Sequence, residues 1–300
     1  MARVISAWAA RSAPPLPLLP EPPPAPLPRL AEVTLVCVQP RQPALGLATL
    51  QHCMRQLQFA DVLLFTDLQK LRQDAPGIRV KGLKIDSAQA FADFMLRGLV
   101  HYVTTSHVLL VQWDGFVLDA AQWDPAFQLF DYLAAPQQAG ALAPGLGMGS
   151  FSLRSRRLLL ALQDPAMVVR PPEHLCIVHD NRQKLEQAHD VRIAPAELAR
   201  RFAFDDAPNP GPTFGFAGLG NLARVLDPVT LDRLVQGLPD ELLGGPVGHL
   251  LCVGVIAQRR FDTAETIIAR RSALRRLDWR TWQLRLKAAI ARMGDDAPPG

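Results

Sequence analysis

The apolar run Val108-Leu109-Leu110-Val111 leads directly into Gln112-Trp113-Asp114-Gly115-Phe116. That order sets a carboxylate at the end of a buried strand and follows it with a glycine that permits close approach. Such a carboxylate can hold a divalent cation against a diphosphate, because Mg²⁺ and Mn²⁺ take hard oxygen ligands and share them with phosphates. It can equally do no more than cap a turn. A second run, Gly145-Leu146-Gly147-Met148-Gly149-Ser150-Phe151-Ser152, packs three glycines ahead of a short strand, so backbone there comes close either to a ligand such as an acceptor sugar or to another strand. In a third, Pro171-Pro172-Glu173-His174, an acid and an imidazole fall in the first turn of a helix. A carboxylate so placed can take a proton from an acceptor hydroxyl, or can simply answer the helix dipole. The fourth, Thr213-Phe214-Gly215-Phe216-Ala217-Gly218-Leu219-Gly220-Asn221, reads as a tight loop that packs two phenyl rings into the core.

Other chemistries lack their residues. There is no Ser-His-Asp set, no metal-spaced histidine cluster and no Walker loop, and the glycines of 145–149 precede their strand and lack the dinucleotide spacing. Cys37, Cys53, Cys176 and Cys252 show no CxxC spacing and fall in apolar or helical runs, as buried thiols in a reducing compartment do; neither disulfides nor zinc are expected. The net charge of +4 comes from arginines spread along the chain without a basic run. An anionic ligand such as a nucleotide diphosphate accounts for it, and no nucleic-acid partner is expected. No apolar stretch approaches the roughly 18 to 20 residues needed to span a bilayer. The location expected by default is cytoplasmic, with peripheral membrane contact and oligomeric state left open.

The elements that must position these residues follow from periodicity. Val33 to Val38, Val62 to Phe65, Ile78 to Ile85 and Val108 to Val111 read as strands. Between them Leu45 to Leu57 and Ala88 to Tyr102 read as helices, with Asp86 or Ser87 as the cap of the second. Alternating strands and helices imply an α/β fold with a mostly parallel sheet covered on both faces. In such sheets ligands bind beyond the carboxyl ends of the strands, so Gln39, Thr66, Asp67, Gln112, Trp113, Asp114 and Gly115 should gather on one rim. Nine of the fifteen residues from Pro14 to Pro28 are proline, which predicts an extended, disordered leader over 1–30. Residues 31–225 then form the α/β domain, and 226–300 a helical extension packed on it. In that extension Asp227-Pro228 starts a helix and Gly248–Gln258, Phe261–Arg271 and Trp279–Met293 are amphipathic.

These four runs, in this order and spacing, resemble an uncharacterised domain family that is itself similar to the glycosyltransferase-A superfamily. The resemblance covers about Val33 to Asn221. The family pattern carries Gln-Trp-Asp-Gly-Phe, Asn-Gly-Gly-Phe-Ser-Leu-Arg-Ser, Pro-Glu-Asp and Phe-Gly-Phe-His-Gly runs. The first is matched in full at Gln112–Phe116, and Asp131-Tyr132 with Ala135-Pro136 fits the segment after it. The resemblance implies a single glycosyltransferase-A-like sheet that binds a nucleoside-diphosphate sugar and passes the sugar to a carbohydrate or other acceptor. By that resemblance Gln39, Thr66, Asp67 and Gln112 to Gly115 bind the donor, and Asp114 also holds a divalent cation, Mn²⁺ or Mg²⁺. Glu173 or His174 is the catalytic base, and Gly147, Gly149, Phe151 and Ser152 line the acceptor site. Phe214, Gly218 and Asn221 complete the pocket.

The pattern is broken at several of these positions. Met148 stands where the family has Asn, Ser150 where it has the second Gly, His174 where it has Asp, Gln137 where Trp follows Ala-Pro, and Ala217 where it has His. Ala217 has no metal-ligating atom, which weakens the cation site, whereas His174 can still take up a proton near neutral pH. Departures that gather at the chemistry and spare the scaffold are what a silent descendant, binding a carbohydrate or protein partner, would also show.

Overall fold

The structure, a computed structural model, describes residues 26–136, 149–205, 211–274 and 278–293. Most of the expected leader, Gly145, Gly147, Met148 and Gln137 lie outside the described residues. The chain divides into two compact units after Gly218.

The first unit is built on a six-stranded sheet in the order β3-β2-β1-β4-β6-β5. Its strands are β1 (Arg29–Val38), β2 (Gln58–Thr66), β3 (Arg79–Gly82), β4 (His107–Val111), β5 (Tyr132–Ala134) and β6 (Phe151–Ser155). Pairings β1 with β2, β1 with β4 and β2 with β3 are parallel, whereas β6 runs antiparallel to both β4 and β5. Strand β1 begins at Arg29, inside the expected leader, because its first residues already pair with Gln58 and Phe59 of β2. The centre reads as unbroken apolar sequence because both faces are covered. On one face Val36, Val38, Leu63, Phe65, Val108 and Leu110 pack with Met95, Leu99 and Leu159. Helix α1 (Pro43–Met54) covers the other. It lies so close that a β-carbon on Gly46 would come 2.9 Å from the Leu64 side chain and 3.2 Å from Cys37 Sγ. All four cysteines are free and buried.

Helix α2 (Ala88–Asp93) is capped by Ser87, whose side chain accepts from the Ala90 amide, and it continues as a wider π turn, Phe94–Gly98, and a 3₁₀ turn, Leu99–His101. After β6 come α3 (Arg156–Ala161), the short α4 (Glu173–Leu175) running into a π turn at Cys176–Asp180, α5 (Arg182–His189) and α6 (Ala196–Phe202). A separate two-stranded parallel sheet pairs β7 (Ala203–Asp205) with β8 (Gly215–Ala217). The Thr213–Asn221 run is thus a strand with loops, not a loop alone. It buries both phenyl rings, Phe214 and Phe216, as its composition indicates.

The second unit, from Leu219 on, is helical: α7 (Leu222–Val225), α8 (Pro228–Gly237), α9 (Asp240–Gly244), α10 (Pro246–Ala257), α11 (Phe261–Leu274) and α12 (Trp279–Met293). Asp227 caps α8 by accepting from the Thr230 amide, with Pro228 at the first helical position. Buried Arg271 fastens three elements together. Its guanidinium donates to the Leu243 and Gly245 carbonyls at 2.6 and 2.7 Å, and to Thr281 and Asp278 at 3.2 Å each. Helix α10 presses its backbone against the 3₁₀ turn Leu219–Asn221, where a β-carbon on Gly254 would lie 2.3 Å from the Gly220 carbonyl oxygen. Backbone cannot swing aside as a side chain can. Gly254→Ala is therefore expected to destabilise the protein by about 2 kcal/mol, the usual scale of overpacking, read as a lower urea midpoint.

Candidate functional site

Strands β1, β2 and β3 step outward in one direction, and the chain then returns to place β4 on the other side of β1. The reversal makes the carboxyl ends of β1 and β4 the switch point at which open α/β sheets form a crevice. Both ends are firmly tied. The Gln39 amide donates to the Phe65 carbonyl at 2.8 Å, and the Gln39 carbonyl accepts from Thr66 Oγ1 at 2.8 Å. The Gln112 side-chain amide donates to the Val38 carbonyl at 3.2 Å, linking the two strand ends. Thr66 is wholly buried, so its part is to hold the rim together.

Asp114 sits at the tip of a two-residue turn. Gln112 and Gly115 exchange both backbone hydrogen bonds, at 2.8 and 2.9 Å, leaving Trp113 and Asp114 between them. The Gly218 amide donates to the Asp114 carbonyl at 2.8 Å, and Ser150 Oγ reaches the same oxygen at 3.4 Å. A side chain at Gly115 would collide with Ser150, whose carbonyl oxygen lies 2.9 Å from where a β-carbon would stand. The turn is backed by His52 of α1 and by Gln56, two residues beyond its end. Both side chains bind the Val117 carbonyl, at 2.9 and 3.0 Å. Asp114 keeps some accessible surface, yet protein surrounds its carboxyl closely enough that loss of hydration pushes it up to about 7.

Strand β6 carries the next part. Arg154 has no exposed surface; its Nη2 donates to Glu173 Oε1 at 3.2 Å, its Nε to Ser152 Oγ at 3.2 Å, and its guanidinium stands 5.8 Å from the Tyr132 ring centre. Glu173 is itself buried, and a β-carbon at Gly149 would fall 2.6 Å from its Oε1. Two buried polar atoms here, Arg154 Nη1 and His174 Nε2, have no hydrogen-bond partner among the described residues. Burial, reinforced by Arg154 and opposed by Glu173, holds the His174 imidazole below its ordinary pKa. It is thus neutral at neutral pH. Asp131 fastens the far end of β6, accepting from Ser155 Oγ at 2.5 Å, from Arg157 and from the Arg192 amide at 2.7 Å.

The rest of the rim opens into a cavity of about 550 Å³ beyond β1, β2 and β3, lined by Arg41, Gln42, Asp67, Lys70, Lys84 and Asp86 among others. Of the residues expected at the donor, Asp67 reaches this cavity, and Lys70 Nζ stands 3.9 Å from it. Arg41, Lys70 and Lys84 escaped notice in the sequence because they lie far apart in the chain, the first two in unpatterned segments and Lys84 inside the Ile78 to Ile85 run, whose strand in fact ends at Gly82. Gln112 to Gly115 form the neighbouring stretch of rim, and Gly149, Glu173 and His174 come together beyond it. Phe151, Ser152 and Phe214 are fully buried; Phe151 stacks on Phe202 at 4.8 Å and lies 5.8 Å from Phe214. Gly218 supports the Asp114 turn, and Asn221 belongs to the second unit. Ala217 is buried in β8, paired with Asp205, a buried carboxylate in the three-residue strand β7. Among the described residues no group of three histidine, cysteine or acidic side chains is arranged to hold a metal ion.

Sheet, switch point and rim define an α/β protein with a mostly parallel sheet and a helical C-terminal region. Residues 81–215 match the family model described as Protein of unknown function (DUF5672). The match takes in the Asp114 turn, β6 and the Glu173 segment, whereas Gln39, Thr66 and Asp67 precede it. No curated protein matches the chain.

Two outcomes follow from the charges. Glu173→Gln leaves Arg154 a buried cation with no counter-charge, so urea unfolding should show a loss of about 3 to 5 kcal/mol, whereas Arg154→Met with Glu173→Leu should recover much of it. Asp114 holds its proton up to about 7 when folded, against an ordinary 3.8. The folded state gains most below the lower value and loses that gain as pH rises through the higher one. Asp114→Asn removes the loss, so its stability relative to the parent should improve by about 2 kcal/mol between about pH 5 and pH 8, after discounting for partial hydration.

Proposed function

We propose that the protein is a glycosyltransferase of the glycosyltransferase-A type, binding a nucleoside-diphosphate sugar along the carboxyl rim and passing the sugar to an acceptor hydroxyl. The observation that carries the reading is the order of parts along the strand ends. A cation-bearing cavity lies beyond β3, β2 and β1, the Asp114 turn beyond β4, and a buried imidazole with an unpaired nitrogen beside β6. A nucleotide in the cavity would direct its diphosphate toward Asp114 and the sugar toward Gly149. Arg41, Lys70 and Lys84 supply positive charge for the phosphates.

One carboxylate with phosphate oxygens and water is a usual arrangement for Mg²⁺. Asp114 therefore suits a cation that arrives on the nucleotide and does not suit a resident one. Because a proton competes with the cation there, Mg²⁺-dependent binding should strengthen as pH rises through about 7. Of the two candidate bases, His174 has the free nitrogen, whereas Glu173 Oε1 is committed to Arg154. In this reading neutral His174 takes the proton from the acceptor hydroxyl, and Glu173 with Arg154 fixes the backbone that presents it. Direct attack by that hydroxyl inverts the anomeric carbon.

One observation favours a second reading, a silent relative that binds a carbohydrate or a protein. Ala217 offers no ligand, and no metal-holding trio occurs among the described residues. Calorimetry separates the two. The enzyme reading expects a nucleoside diphosphate or its sugar to bind with Mg²⁺ or Mn²⁺, Lys84→Glu to weaken that binding about tenfold, and His174→Asn to lower turnover about a hundredfold with binding unchanged. Binding of no member of a nucleotide-sugar panel would overturn it, and binding without transfer or hydrolysis would leave the silent relative.

A further inference from the structure

Helix α12 is apolar on two opposite sides. Thr281, Leu284 and Ala288 face inward and are buried. On the outside Trp279, Trp282, Leu286, Ile290 and Met293 are 61%, 64%, 45%, 59% and 73% exposed. Their spacings of three and four residues bring them, with Ala289, into one stripe about 100° wide at 3.6 residues per turn. By the same rotation Arg280 and Lys287 flank the stripe on one side and Arg285 and Arg292 on the other. The helix carries no acidic residue. Of the flanking cations only Arg292 is ion-paired, to Glu265, among the described residues. A groove beside it, floored by Ile268, Ala269 and Ala288, widens the apolar surface.

We propose that this face of α12 lies in the surface of an anionic membrane. An outward apolar stripe with tryptophans, bordered on both sides by cations, is the geometry of a helix lying in the plane of the interface. The rings and aliphatic side chains enter the acyl boundary while Arg280, Arg285, Lys287 and Arg292 meet lipid phosphates. A second copy of the chain fits less well, because cations bordering both stripes would face one another with no carboxylate on either helix. Nor can the contact be a span: among the described residues no helix is long and apolar enough to cross a membrane, and α12 has only 15 residues.

The test is sedimentation of the full chain with vesicles of phosphatidylcholine alone and with vesicles containing about one third phosphatidylglycerol. Binding should be at least about tenfold stronger to the anionic vesicles, should fall as salt shortens the screening length, and should blue-shift tryptophan emission. Trp279→Glu with Trp282→Glu should lose it by at least about tenfold with the melting temperature little changed, because both residues are already more than half exposed. Three results would overturn the proposal: equal or absent binding to the two vesicles, full binding by the double variant, or a concentration-dependent dimer that the double variant abolishes. The last would assign the stripe to a second copy.

Discussion

Arg154 is a full charge with no exposed surface, and the β6 side of the sheet is arranged around keeping it tolerable. Burying a guanidinium costs several kcal/mol unless a counter-charge and hydrogen bonds surround it. Glu173 supplies the charge, Ser152 an acceptor and the Tyr132 ring a π face. Each partner constrains its neighbours. Glu173 can come in because residue 149 has no side chain to meet it. Tyr132 stands below because β5 pairs with β6, opposite Arg154 in register. His174 follows Glu173 in the chain, so the pair that fixes the one also fixes the other. The pair is thus scaffolding for the segment that carries His174.

The central strands were legible because covered parallel strands leave long apolar runs, and Ser87 and Asp227 cap their helices as their types suggest. The Trp279–Met293 helix was readable to the residue. What escaped was structure without a period. Strands β5, β7 and β8 are three residues each, too short to alternate visibly. The π turns at Phe94–Gly98 and Cys176–Asp180 continue helices whose apolar spacing does not mark the change.

The candidate site was legible in its landmarks and not in its relations. Asp114 and the Pro171–His174 segment stand out as residue types at the ends of recognisable elements. The Arg154–Glu173 contact joins residues 19 apart, and only the fold brings them together. Phe151 and Ser152 lie next to glycines and read as lining, but they point to opposite faces of β6, both of which are covered, and so both are buried. The cations of the cavity follow the ends of three different strands, and nothing in the sequence marks Arg41, Lys70 and Lys84 as neighbours.

The two-residue turn at Asp114 has a kinetic meaning. Its backbone is held by Gln112, Gly115 and Gly218 before any ligand arrives. A flexible loop must be ordered by what it binds, which slows capture and lets release wait on reopening. Here the backbone is already set, so the ligand proposed above would meet the same turn at every encounter. Association at that point would then be set by diffusion and by stripping water from the carboxyl, and a faster or slower partner would differ chiefly in how long it stays.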